Sequence, residues 1–130
     1  MVKIVDDAVL DAALNQIMTT ADKLVVCIGA PATYAEANAN SPAGKRCGQR
    51  AITSANFTGP ANGDVSGRKL TVNQQTGINV DISGAADHVA LVDDTASVLL
   101  AVTSLSASQA VTAGNTMTVN LFDLEIADPT

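Results

Sequence analysis

The side chains able to do covalent or acid–base chemistry are few: one histidine and two cysteines. His88 directly follows Asp87 and serines are plentiful, so the residue types of a Ser–His–Asp hydrolase are all present. Such a site needs nucleophile, imidazole and orienting acid to converge, and no Gly-x-Ser-x-Gly elbow announces one. His88 therefore reads as a packed or hydrogen-bonded structural histidine, on a strand face shared with Ala90 and Val92. Cys27 and Cys47 stand twenty positions apart, without the C-x-x-C spacing of redox or zinc sites. Cys27 lies in an apolar run and reads as an inert core residue. Cys47 is flanked by Lys45, Arg46 and Arg50, cations that would depress its pKa and favour the thiolate. Three readings stay open for it: a nucleophile or redox sensor, one half of a Cys27–Cys47 disulfide, and a free structural thiol.

Phosphate and metal chemistry find less. Gly44-Lys45 resembles the end of a phosphate-binding P-loop, but Ala39 replaces the first glycine and Arg46 the hydroxyl residue. Gly59, Gly63 and Gly67 lie between predicted strands and open no helix, so they read as turn glycines. The pairs Asp6-Asp7 and Asp93-Asp94 lack the ligand spacing of a calcium loop. No catalytic, cofactor-binding or metal-ligating residue is expected, and no cofactor.

Charge placement carries more information than its sum of −6. All seven basic residues (Lys3, Lys23, Lys45, Arg46, Arg50, Arg68 and Lys69) fall within residues 1–69, beside six acids, giving 7 − 6 = +1. Residues 70–130 carry seven acids and no Lys or Arg, giving −7. The Lys45–Arg50 cluster reads either as a solvated loop or as a loop that meets the acidic half of a neighbour, where complementary charge fixes register and partner.

These residues need elements to position them. In Asp6–Thr20 the apolar residues Val9, Leu10, Ala13, Leu14, Ile17 and Met18 form one stripe at helical period, and Asp6 or Asp7 can cap the helix. The stripe packs either on the domain's own sheet or on another subunit. Residues 24–28 (LVVCI) are a continuous apolar run, the mark of a strand covered on both faces. Residues 31–50, with two prolines and little bulk, read as a long extended arm that orders on a neighbour. Short β runs follow at Ala51–Thr58, Arg68–Asn73, Gly77–Ser83, His88–Asp93, Ser97–Thr103 and Met117–Ile126. Ile78, Val80 and Ile82 alternate inward against Asn79, Asp81 and Ser83. Pro60–Gly63 reads as a turn and Asp93–Thr95 as a tight hairpin. The fold class expected is mainly β: a small antiparallel sandwich or barrel of about seven strands, with one N-terminal amphipathic helix and a long arm loop.

At 130 residues the chain reads as one domain (helix 6–20, arm about 31–50, β-rich body about 51–130), with no internal repeat. Its 47% hydrophobic content is thin in kind, with 22 alanines and only three aromatics, Tyr34, Phe57 and Phe122. The core must therefore come from Val, Ile, Leu and Ala. The sparse aromatics and net negative charge argue against nucleic acid as a partner, since phosphate binding needs local cationic excess and usually base stacking. No apolar run approaches the roughly 18–20 residues needed to span a bilayer, so no membrane partner is expected. Asp6, Asp7 and Asp11 interrupt the basic-then-apolar order of a signal peptide.

The order of segments resembles a group of small structural proteins of tailed bacteriophages. The shared pieces are the amphipathic opening DAVLDAAL (Asp7–Leu14) and a strand with Cys27 leading into PATYAEA (Pro31–Ala37). After these come GRK (Gly67–Lys69), HVALVD (His88–Asp93), SLSASQAVTAGNT (Ser104–Thr116) and FDLEIADP (Phe122–Pro129). The resemblance spans nearly the full length and rests on pattern, not on a mechanistic motif. It implies a non-enzymatic virion component, made in a bacterial cytoplasm that disfavours disulfides. The preferred role is a capsid decoration (cement) protein on the outer head surface, whose partners are the major capsid protein and copies of itself, with a trimer as the expected oligomer. A tail, head–tail joining or fibre-base component is the alternative, and a receptor- or glycan-binding module the second. The residues expected to meet a partner are Tyr34, Lys45, Arg46, Arg50, Arg68 and Lys69, with Arg46 and Arg50 as the most specific anchors because a guanidinium grips carboxylates in a fixed fork.

Overall fold

The computed structural model describes residues 3–130. Helix α1 (Asp7–Thr20) starts where expected: the Asp6 side chain accepts a hydrogen bond from the Ala8 N–H at 2.8 Å, and Asp7 adds an acid to the first turn. Its buried face is narrower than the sequence stripe. Leu10 and Leu14 are buried and Ile17 and Met18 partly so, but Ala13 faces solvent and Val9 is 60% exposed. The helix lies across β3 (Phe57–Asn62) and β4 (Arg68–Val72), a contact too narrow to cover both flanks of the stripe.

Strand β1 (Lys23–Cys27) is flanked on both sides, by β2 (Arg46–Ala51) and by β6 (Gly84–Asp93), and β6 pairs in turn with β7 (Val98–Val111). All ladders are antiparallel, with Val25 opposite both Gln49 and Ala90. Every residue of Leu24–Cys27 is at most 1% exposed. Leu24 and Val26 point into the main core, with Leu14, Leu70, Ile78 and Leu91; Val25 and Cys27 point into a smaller cluster on the other face, with Ala37, Ala90 and Val92. That two-sided burial is why the sequence run is unbroken.

Two further sheets complete the sandwich: β3–β4–β9 (β9, Phe122–Ile126) and β5–β8 (β5, Gln75–Asn79; β8, Thr116–Val119). The three sheets do not close into a barrel. Among the described residues nine strands stand where about seven are expected. Met117–Ile126 is two strands broken at Asn120-Leu121, because β8 pairs with β5 and β9 with β4. Ala51–Thr58 is not one strand but the end of β2, a short 3-10 turn (Ser54–Asn56) and the start of β3. Pro60 lies inside β3, and the reversal falls at residues 63–67. Strands β6 and β7 run longer than their sequence runs, and their hairpin turns after Asp93 as expected.

The segment 31–50 also differs from the extended arm of the sequence reading. It folds back on its own sheet. Thr33 caps a short helix, α2 (Tyr34–Asn38), whose Ala37 is fully buried against β1 and β6, and Arg46–Ala51 is the outer neighbour of β1. Gly48 permits the close approach behind β2, since a Cβ there would stand 2.6 Å from the Asn79 carbonyl oxygen.

Candidate functional site

The reactive residues do not converge. Cys27 and Cys47 belong to opposite faces of the four-stranded sheet and are free thiols. Burial pushes the Cys27 thiol up to about 12 and the Cys47 thiol up to about 11. The basic neighbours of Cys47 therefore do not make it a thiolate, contrary to the expectation from its flanking cations. Burial outweighs them, and the Cys47 Sγ donates to the Val26 carbonyl at 3.4 Å.

His88 sits opposite Cys27 on one side and Ser104 on the other. Its Nδ1 lies 2.8 Å from Asp87 Oδ1, the same oxygen that accepts the Gly29 N–H at 2.7 Å. The bond to His88, then that from Gly29, holds the Asp87 carboxyl below its ordinary range. This is the orienting half of a triad without the other half, since no serine hydroxyl bonds His88 among the described residues. Nor do three or more His, Cys, Asp or Glu side chains gather as metal ligands among those residues. No described helix is long and apolar enough to cross a membrane.

The six residues expected to meet a partner are spread over three regions. Tyr34 donates to Asp94 Oδ1 at 2.8 Å, and Lys23 Nζ reaches Asp94 Oδ2 at 2.5 Å. Burial works against the Asp94 charge, but Lys23 and Tyr34 outweigh it and hold the carboxyl below its usual range. The same hydrogen bond raises the Tyr34 hydroxyl. Arg68 grips Asp11 at 2.7 and 3.2 Å and so ties α1 to β4, while Lys69 bonds Asp64 at 2.6 Å and Asp123 at 3.4 Å. Arg46 donates to Asn40 Oδ1 and Gln49 Oε1, Arg50 donates to the Thr76 carbonyl, and the Lys45 ammonium lies over Gly29. Each of these cations except Lys45 thus has an acceptor within its own chain.

A cleft with room for a ligand lies elsewhere, in a place the sequence reading did not single out. A groove of about 570 Å³ runs between the second half of β7 and the β8–β9 segment. Core residues Val26, Ala86 and Val119 form its floor, and Leu105, Met117 and Phe122 its apolar walls. An irregularity in the hairpin opens this side: Ala86 pairs with Gln109 but His88 with Ser104, so the four residues 105–108 stand opposite Asp87 alone. The rim is Ser, Thr and Asn, and residues 98–122 carry no charged side chain. That neutral run, in a chain of net charge −6, is the signal that could have found the groove. Chemically, the site can bury small apolar side chains and hydrogen-bond a backbone; it holds no acid, base or nucleophile beyond hydroxyls. No family model, curated protein or solved structure matches the chain.

Proposed function

We propose that the protein is a virion structural component of a tailed bacteriophage, acting as a decoration protein that binds the outer surface of the head and stabilises it through contacts between subunits. The observation that carries the reading is the pairing of an uncharged groove flanked by edge strands with reactive groups that are buried or bonded internally. Such a surface is suited to adding a polypeptide segment, not to turning over a small substrate. The likeness of segment order to small phage structural proteins supplies the particle, and the scarcity of aromatic residues counts against a sugar-binding platform. A cement function distributes many shallow contacts around a symmetry axis.

Quantitative mass spectrometry of purified particles tests this, with copies counted relative to the major capsid protein. The expected copy number is of the same order as that protein's own, a ratio near one, and heads lacking the chain should assemble but lose DNA on heating. A count matching only the tail axis would move the protein to the tail or the head–tail junction, and absence from particles would refute the virion role altogether.

A further inference from the structure

Three strand edges converge on the groove. β7 is the outer strand of its four-stranded sheet, β8 of its two-stranded sheet and β9 of its three-stranded sheet, so each has a neighbour on one side only. An edge strand presents a row of unpaired N–H and C=O groups, which monomeric proteins commonly guard with charge or proline. Along β7, β8 and the first residue of β9 the guard is missing, because residues 98–122 contain neither a charged side chain nor a proline; Asp123 and Glu125 charge only the remainder of β9. The floor of the groove is the domain's own core, with Val26 and Ala86 each 1% exposed and Val119 7% exposed. The space between β7 and β8, about 570 Å³, therefore suits a short extended strand with an apolar side chain turned inward.

The same chain carries such a strand without a partner. Ahead of α1, Lys3-Ile4-Val5 has no regular secondary structure, and its backbone makes no hydrogen bond among the described residues. Ile4 is 85% exposed, an unusual place for a large β-branched side chain. Among the described residues its side chains have one tether, the Lys3 ammonium on the Thr130 main-chain oxygen at 2.8 Å. Placed as a strand, this segment would turn Ile4 to one face and Lys3 to the other. The match is apolar: the groove lining holds no charged side chain, so Ile4 supplies the contact and Lys3, turned to the other face, keeps its ammonium in water.

In its own fold the segment lies toward the other end of β9: Asp7 meets the guanidinium of Arg68, which pairs with Ile126, and Lys3 bonds Thr130, whereas the groove meets β9 at Phe122.

The geometry points to exchange between copies: residues Lys3–Val5 of one chain enter the β7–β8 groove of a second copy as an added strand, with Ile4 seated on the Val26–Ala86–Val119 floor. Each copy both donates and accepts, so the contact is head-to-tail and generates a closed ring or an open chain. This inference rests on the groove and the segment alone and holds whether or not the protein sits on a virion.

The test is the mass of the full chain by light scattering and sedimentation, over a range of concentrations. The wild type should be oligomeric, and Ile4→Asp, at a site exposed in the folded chain, should weaken self-association roughly tenfold or more by bringing a charge to an apolar floor. Ser106→Trp should fill the acceptor groove with the same effect. Mixed together, the two variants should form a 1:1 complex and nothing larger, since one intact segment and one intact groove remain. If Ser106→Trp fails to fold, the double variant Ile4→Cys with Ser106→Cys replaces it: with both native thiols buried, oxidation should link separate chains. A wild type monomeric at every concentration, an oligomer whose mass Ile4→Asp leaves unchanged, or a cross-link formed within single chains would each overturn the inference.

Discussion

Truncating Leu14 to alanine separates two roles for α1, packing on its own sheet or docking on another subunit. Leu14 is 1% exposed and sits in the main core with Leu24, Leu70 and Val72, while Val9, five residues earlier on the same helix, is 60% exposed. Emptying a fully enclosed leucine site costs about 3 kcal/mol, toward the lower part of the range for such changes because α1 lies on one side of the core and can settle inward. With a urea dependence of about 1.5–2 kcal/mol/M for a domain of this size, the unfolding midpoint should fall by about 1.5–2 M. Val9→Ala loses almost no burial and gains a few tenths of a kcal/mol in helix propensity, so its midpoint should stay within about 0.3 M of wild type. Equilibrium urea unfolding followed by far-ultraviolet circular dichroism reads both. Equal small effects would refute the packing described here and return α1 to the role of a docking face; equal large effects would mean that Val9 is covered by another chain.

Cys27 and Cys47 should resist alkylation at pH 7–8 in the native protein and react fully in denaturant, and fast labelling of native Cys47 would contradict its burial. Both thiols are raised on folding from 9.0, to about 12 and about 11. Above pH ~9 the unfolded chain therefore releases protons that the folded chain keeps. Stability should be constant with respect to these groups below that point and fall as pH rises toward 11–12, by up to ~1.4 kcal/mol per pH unit for each thiol; a Cys27→Ala, Cys47→Ala double variant should lack this part of the alkaline loss. Gly48→Ala should destabilise by about 1–3 kcal/mol in thermal unfolding, because its Cβ would meet the Asn79 carbonyl oxygen at 2.6 Å and the Met117 methyl; a neutral result would mean that β2 and β5 stand farther apart than described.

Legibility in the sequence followed the symmetry of each element's surroundings. Leu24–Cys27 was readable because burial on both faces leaves no polar interruption to obscure the run, and α1 because its cap and its inward leucines are local features. The strand β2 was not. Arg-Cys-Gly-Gln-Arg-Ala hides one core residue, Cys47, among polar ones whose partners, Asn40, Gln49 and Thr76, are supplied by the fold. A dense basic cluster reads as unsatisfied until those acceptors are in place. The break at Asn120-Leu121 was equally silent, since a change of partner sheet is a tertiary event in a run that is β-prone throughout. Pro60 signalled a turn but lies within β3, a strand with β4 on one side only and so with an edge that can do without the N–H. As for the groove, its trace in the sequence is the uncharged run 98–122; hydropathy alternation adds nothing to it, because Ser-Ala-Ser-Gln carries neither the bulk of a core strand nor the charge of a solvated one.

The groove and the core are one surface seen from two sides, and this couples assembly to stability. Val26, Ala86 and Val119 are all but closed to solvent at the floor of the cleft between β7 and β8, but its walls Leu105, Met117 and Phe122 are only partly buried, so an unoccupied groove leaves apolar side chains packed on the core in contact with water. Any segment that binds there binds the folded chain alone and shifts unfolding by mass action, by about 2.7 kcal/mol at one hundred times the dissociation constant. If the segment comes from another copy, its concentration is the protein's own. The urea midpoint of the wild type must then rise with chain concentration, while that of Ile4→Asp stays flat and meets it at high dilution. A midpoint independent of concentration in both would mean that the domain is complete as a single chain and that its open edge serves a partner other than itself.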